Sequence, residues 1–320
     1  MTAILERVTV GRCFARAFNH PSGVPDAIRL MPPSDVSKGY EDAFPHHDDL
    51  LITSKQIAAR RAFEDHEPGL GRLVFLFHLQ GHRTVEVKGA GRHDLNLPKF
   101  VAYYHAEGVV KTSFWSQGDT ETSILVGFSP QKPPRVVESA LRANSDARAL
   151  ISKRNGPCFW LEFPLTLEME RAARQVSAPN IHSAIMQEFL LAKADELLCL
   201  GSDALLASFT RSSDESAAER VKLDLVVKII DENFRTTPTV GFLADQVNVQ
   251  PAVLSSLFLD RFGFTISEYC ARKRMDMANR LLATTNMPLK QVAYEVGYNH
   301  ISNFNLAFRK TFGVTPKQAR

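Results

Sequence analysis

The spacing of apolar side chains changes character along this chain. From Arg72 to Phe128 it is short-range, with runs rich in β-branched and aromatic residues: Leu73 to His78, Thr84 to Val87, Val101 to His105, Val110 to Trp115 and Ser123 to Phe128. Gly81, the Gly89-Ala90-Gly91 segment, Asn96, Gly108 and Gly118 separate them. Strands at such intervals predict a small antiparallel β-barrel or sandwich over about residues 70–130. The first 70 residues, broken by Pro21, Pro25, Pro32, Pro33, Pro45 and Pro68, predict irregular structure. Past Pro134 the apolar period lengthens. Leu167 to Val176 and Ile181 to Leu200 predict helices that pair antiparallel across Pro179-Asn180 and cover one barrel face or form a subunit contact.

Thr210 to Arg220 is polar throughout and predicts a linker. A helical pattern resumes at Val221 and carries one theme twice. In the first copy Val240, Leu243, Ala244 and Val247 share a helix face, Asn248 to Pro251 supply a turn, and Leu254, Leu257, Phe258 and Phe262 form the buried stripe of a second helix closed by Gly263. In the second, Leu289, Val292, Ala293 and Val296 make the first face, Gly297 the turn and Tyr298 the corner. Phe304, Phe308 and Phe312 anchor the next helix, and Gly313 and Pro316 stop it. Between the copies, Tyr269 to Ala283 predicts one amphipathic helix with Met275, Ala278, Leu281 and Leu282 inward and Arg272, Lys273, Arg274 and Arg280 outward. Such a helix sets the separation of two helix-turn-helix units, so that a rigid monomer reads two major-groove segments about one helical turn apart.

The chain has 320 residues, enough for two domains. The predicted fold class is mixed. A domain of residues 1–209 holds the barrel at about 70–130 and helices at about 134–209; residues 210–220 link it to an all-α domain of residues 221–320 that carries the two helix-turn-helix units. With 44% hydrophobic and 23% charged residues the composition is that of a globular chain. The opening residues show no signal peptide and no stretch approaches a membrane span, so a cytoplasmic protein without membrane partners is expected. Cys13, Cys158, Cys199 and Cys270 are too dispersed for a zinc module or a disulfide framework and read as reduced thiols. From Pro238 onward ten Lys and Arg face five Asp and Glu, whereas the rest of the chain holds 28 against 30. A basic tail on a nearly neutral body suits a phosphate-binding domain joined to a partner domain.

The segments Gln291-Val292-Ala293-Tyr294-Glu295-Val296-Gly297-Tyr298, Ser302-Asn303-Phe304, Ala307-Phe308-Arg309-Lys310, Phe312-Gly313 and Thr315-Pro316 resemble the signature of the AraC/XylS family of transcriptional regulators. The resemblance covers about Pro238 to Arg320. It implies that residues 1–209 form a sensor and dimerisation domain and residues 221–320 a DNA-binding domain, with double-stranded DNA and RNA polymerase as partners, a homodimer, a small-molecule effector and no cofactor. Residues 188–198 look like the helix preceding the DNA-binding domain in the siderophore-responsive, pyochelin-type branch, and Phe77 to Phe128 is loosely similar to that branch's sensor. A ferric siderophore is therefore the expected effector of an activator; a sugar or aromatic acid regulating catabolic genes is the alternative, and a ligand-free oligomerisation module a third.

On the second helix of the second unit, Ser302, Asn303 and Leu306 point away from the phenylalanine stripe and are the expected base-edge contacts, because short hydroxyl, amide and apolar groups meet adenine edges and thymine methyls. The corresponding positions in the first unit are Ala252, Ser255 and Ser256. Arg309, Lys310, Arg272, Arg274 and Lys290 are the expected phosphate contacts. The family often carries Arg where Ser256 and Leu306 stand and Lys where Leu259 stands, so monomer binding is expected to be weak and to lean on dimerisation or DNA shape. Coupling of effector to DNA is expected to pass through the helical pair, with Leu191 and Leu198 as its test positions.

A barrel also raises a cupin-like metalloenzyme, but His78, His82, His93 and His105 fall singly, and His46-His47-Asp48-Asp49 reads as a solvated loop. No nucleophile elbow, phosphate loop or carboxylate pair supports an enzyme. Phe75, Phe77, Tyr103, Phe114 and Trp115 suit either a largely apolar ligand pocket or core packing.

Overall fold

The computed structural model describes residues 16–46, 49–96, 98–144, 148, 158–211, 217–312 and 314–319. Cys13, His47, Asp48, Gly313 and the centre of the expected linker, 212–216, lie outside them. The chain forms two compact units, residues 1–213 and 214–320.

The first unit is built on two antiparallel sheets. The larger contains β1 (Arg16–Asn19), β2 (Ile28–Met31), β3 (Ser37–Pro45), β4 (Leu51–Ala59), β6 (Arg72–Gly81), β9 (Lys99–His105), β11 (Thr120–Phe128) and β12 (Cys158–Pro164), in the order β1-β2-β3-β4-β11-β6-β9-β12. The smaller contains β5 (Phe63–Pro68), β7 (Arg83–Val87), β8 (Gly91–Leu95) and β10 (Val110–Trp115), in the order β5-β10-β7-β8. The helices with described bounds are α1 (Arg135–Ala143), α2 (Leu167–Ser177) and α3 (Met186–Arg211), the last entered through a short 3-10 turn at Ser183–Ile185.

Because strand side chains alternate in direction, each face of the larger sheet has its own character. One face presents Ile52, Phe75, Phe77, Phe100, Ile124, Val126 and Phe128, which bury themselves against Val137 of α1, Met169 and Val176 of α2, and Leu190 and Leu197 of α3. Gly201 lets α3 approach this face closely: a Cβ there would stand 2.6 Å from Phe75 Cδ2 and 2.9 Å from Phe100 Cζ. The opposite face meets the smaller sheet. Leu76, Val85, Val87, Leu95, Val101 and Tyr103 form an apolar cluster there, but the same layer also buries Glu41, Lys55, Asp65, Glu67, Arg83, Lys111 and Glu121.

That layer explains several departures from the sequence expectation. The described part of the first 70 residues, from Arg16 onward, is not irregular; it holds five strands. Pro21, Pro25, Pro32 and Pro33 occupy turns and connections, while Pro45 and Pro68 end β3 and β5, where a missing N–H costs least. β3, β4 and β5 resist reading because their charges point inward: Asp42 accepts two bonds from Arg29 at 2.6 and 2.7 Å, and Glu41 stands opposite Lys55. β8 and β12 lie where glycine punctuation and helix were expected. Helix persists to Arg211 and begins again at Ala217, so both ends of the expected linker are helical. Leu198 is fully buried in the aromatic core, so a charge there tests folding rather than coupling. Phe75 and Phe77 face the helices, not an inter-sheet pocket. Among the described residues no helix is long and apolar enough to cross a membrane, and no cluster of potential metal ligands forms.

Two outcomes follow from this packing. Gly201→Ala is expected to destabilise the first unit by about 1–3 kcal/mol through overpacking, read as a lower urea midpoint with an unchanged slope. Burial holds His78 down to about 4 and His105 down to about 3. Both are neutral when folded and protonate in the unfolded chain below about 6.5, so the unfolded state binds more protons between about pH 4 and 6.5. Stability of the first unit should therefore fall as pH drops through that window, by up to about 3 kcal/mol per imidazole, and His78→Gln should flatten the slope.

Candidate nucleic-acid interface

The second unit consists of α4 (Ala217–Asn233), α5 (Val240–Gln246), α6 (Pro251–Phe262), α7 (Ile266–Thr284), α8 (Leu289–Glu295), α9 (Ile301–Phe312) and α10 (Pro316–Ala319). Local signals set the boundaries. Thr239 Oγ1 accepts from the Phe242 amide to cap α5, and Pro251 opens α6, where its missing N–H is harmless. Gly263 at φ 71° closes α6. Thr265 and Glu268 form a reciprocal capping box on α7, and the bonds from Thr265 hold the Glu268 carboxyl below its usual range.

α5–α6 and α8–α9 are two copies of one plan. Leu243, Ala244 and Val247 are buried, as are Val292, Ala293 and Val296 at an offset of 49; Leu254 and Phe258 correspond to Phe304 and Phe308 at an offset of 50. Both turns need a left-handed residue, Asn248 at φ 52° and Gly297 at φ 85°. Only glycine serves at 297, because a Cβ would come within 2.2 Å of the Arg235 carbonyl oxygen.

α7 packs on both pairs. Near its start Tyr269 meets Phe258 and Phe262 at ring separations of 5.3 and 5.9 Å; further along, Met275, Ala278 and Leu282 join Val292, Phe304 and Phe308 in one cluster. This matches the inward set expected for the helix, with Leu281 partly buried beside it.

The offset also aligns the solvent faces of α6 and α9. Ala252, Val253, Ser255, Ser256, Leu259 and Asp260 on α6 correspond to Ser302, Asn303, Asn305, Leu306, Arg309 and Lys310 on α9, and all twelve are exposed. Leu306 is 72% exposed. Hydroxyl, amide, apolar and cationic groups thus share one face of α9, while the α6 face has no cation and its Ser255 hydroxyl donates back to the Pro251 carbonyl at 2.9 Å. Lys290 is exposed in the first turn of α8, beside Gln291 and the 69% exposed Tyr294.

The helix α7 cations are placed differently from the expectation. Arg274 is spent inside the unit: its guanidinium donates to the Phe234 carbonyl at 2.8 Å, to the Arg235 carbonyl at 2.6 Å and to Thr237 Oγ1. It fastens the end of α4 to α7, so the guanidinium expected to meet phosphate is engaged within the unit. Arg272 is half-buried with its guanidinium 4.2 Å over the Phe264 ring. Lys273 pairs with Asp231 at 2.9 Å. Val253 and Asn305 were absent from the sequence-based set; the 50-residue repeat is the signal that finds them, because it carries every exposed position of one helix onto the other.

Residues 243–320 match the family described as "Helix-turn-helix domain". The chain is 32% identical over 103 residues to "Probable transcriptional regulator LumQ" of Photobacterium leiognathi, covering 32% of this chain and 42% of that protein. It is 30% identical over 92 residues to the arabinose operon regulatory protein of Escherichia coli, covering 29% of this chain and 30% of that protein. The chain thus spans less than half the length of either relative. A solved transcriptional regulator with an AraC-type DNA-binding domain from Chromobacterium violaceum is 26% identical over 33% of this chain and 94% of its own, with a TM-score of 0.31. Residues 243–320 carry a helix-turn-helix domain similar to those of transcriptional regulators.

The two possible roles of Arg274 give opposite results. Arg274→Met is expected to destabilise the second unit by about 1–3 kcal/mol, since it leaves the carbonyls of Phe234 and Arg235 without their charged donor. The salt dependence of nucleic-acid binding by the folded variant should equal that of the parent, whereas loss of a phosphate contact would reduce the slope by about one.

Proposed function

We propose that this protein is a sequence-specific DNA-binding transcriptional regulator in which α6 and α9 are the recognition helices of two helix-turn-helix units. The observation that carries the reading is the repeated pattern: two short helix pairs bury the same positions against α7 and leave corresponding faces of their second helices open. Ser302, Asn303 and Leu306, with Asn305 beside them, address base edges in the major groove; Arg309, Lys310 and Lys290 address phosphates. The α6 face, with Ala252, Ser255 and Ser256 but no cation, contributes apolar and hydroxyl contacts of lower discrimination. Weak binding by one chain then favours a homodimer. The sheet unit acts as the effector-responsive partner, and the regulator activates by bringing RNA polymerase to its target.

The test is DNA binding by the whole protein measured against salt. Affinity is expected to fall with a slope near −0.9 per neutralised phosphate, with about four to seven contacts per chain. Arg309→Ala should weaken all sequences alike, while Asn303→Ala should relax preference at one base pair by about 1–3 kcal/mol. An Asn303→Ala protein with unchanged affinity and preference would remove α9 from the groove.

A further inference from the structure

The duplication within the second unit sets two surfaces built on one plan side by side. The offset of 50 lays Ala252, Val253 and Ser256 of α6 on Ser302, Asn303 and Leu306 of α9, the positions that address base edges, and all six are exposed. The positions that address phosphates in the second copy, Lys290, Arg309 and Lys310, fall on Gly241, Leu259 and Asp260 in the first. The first copy therefore keeps no counterpart of any phosphate contact, and Asp260 puts a carboxylate where its twin has an ammonium. The next two cations along the chain are engaged within the unit: Arg261 donates to Asp224 at 2.7 Å, and the Arg272 guanidinium lies 4.2 Å over the Phe264 ring. The Ser255 hydroxyl spends its proton on the Pro251 carbonyl at 2.9 Å, which leaves the oxygen an acceptor only.

This inventory excludes most base readouts. Guanine presents two acceptors in the major groove and is read by paired donors such as a guanidinium; adenine presents an acceptor beside a donor and is read by an amide. The α6 face holds neither group. Cytosine's amino group could meet a carboxylate, but Asp260 stands in the last turn of α6, whereas a recognition helix reaches base edges with its N-terminal residues. In the first turn stand Ala252 and Val253, the latter 47% exposed. A scattered exposed valine needs no partner; Val253 is set apart by its position, since its twin is Asn303. Thymine alone presents a methyl group to the major groove, and an aliphatic side chain covers it without a hydrogen bond.

We propose that Val253, with Ala252 beside it, is a specificity-determining residue that reads thymine methyl groups, so that the DNA segment under α6 is specified by one or two adjacent thymines while the segment under α9 is specified by hydrogen bonds. This rests on the reading of α6 as a recognition helix and names the base chemistry that it selects. With no cation on the face, discrimination under α6 comes from apolar burial and is insensitive to salt, and the salt dependence of the whole protein arises at the second copy.

The test uses the full chain and the site it selects from random duplex DNA, with hydroxyl-radical footprints of the parent and of Asn303→Ala assigning the two segments. Each thymine is then replaced by deoxyuridine, which removes the methyl and keeps the base pair. One or two thymines under α6 are expected to lose about three- to fourfold in affinity each, the worth of one buried methyl, at low and high salt alike. Val253→Ala should lose that discrimination between thymine and uracil. Val253→Asn, which gives α6 the residue that α9 carries at the matching position, should exchange the thymine preference for adenine at the same base pair. Both variants change an exposed side chain, so circular dichroism is expected to match the parent. Uracil tolerated at every thymine under α6, discrimination kept in full by Val253→Ala, or a guanine required in that segment overturns the proposal while sequence-specific binding stands. Absence of sequence-specific binding, or protection of a single segment, removes the two-unit reading and the proposal with it.

Discussion

Everything attributed to the second unit depends on one helix serving two cores. Tyr269 in the first turns of α7 closes the core of α5 and α6 through Phe258 and Phe262, and Met275, Ala278 and Leu282 close that of α8 and α9 through Phe304 and Phe308. At 1.5 Å per residue, its 19 residues make a rod of about 28 Å. Two helix pairs packed on one rod are held at a fixed separation and orientation, which a flexible connection would not provide. Arg274, near the middle of α7, extends the same framework by binding the carbonyls at the end of α4. The framework is duplicated, but its surface is not: the exposed face of α9 carries Asn303, Asn305, Arg309 and Lys310, whereas that of α6 carries Val253, Ser255, Leu259 and Asp260.

The first unit is organised by the two sides of its larger sheet. Against the helices that sheet presents an aromatic core in which even the position of α3 is set by a glycine, Gly201, in the shadow of Phe75 and Phe100. Against the smaller sheet it presents Glu41, Lys55 and Glu121. The first face gives cohesion through apolar burial; the second places costly charge where water is excluded. Burial drives the imidazole of His105 to the neutral form, and Arg83 and Lys55 keep Glu121 ionised against the same burial. Such a layer comes at some expense of stability.

The two units differ in how far their sequences disclose them for the same physical reason. In the second, burial follows hydrophobicity: Leu243, Val247, Leu254 and Phe258, and their counterparts to Phe308, show helical spacing, and Gly263 and Gly297 mark turns that only their backbone freedom allows. Helices, turns, repeat and the exposed set Ser302, Asn303 and Leu306 are therefore legible, whereas the carbonyl bonds of Arg274 are not, because a guanidinium that caps carbonyls looks in the sequence like one that meets phosphate. In the first, burial departs from hydrophobicity. Glu41, Lys55, Asp65 and Glu67 read as solvent-facing residues, although they are buried between the sheets, so β3 to β5 resemble loops. The charged layer becomes visible only when β10 is laid against β5 and β7, pairings between segments far apart in the chain.

Hydroxyl-radical footprinting of the full-length protein on its selected DNA site tests the central claim most directly, because α7 fixes the spacing of α6 and α9. The account predicts two protected segments per chain, about one helical turn apart on the same side of the duplex, with the segment assigned to α9 lost first in Asn303→Ala. A single protected segment, or uniform protection without sequence preference, would contradict it.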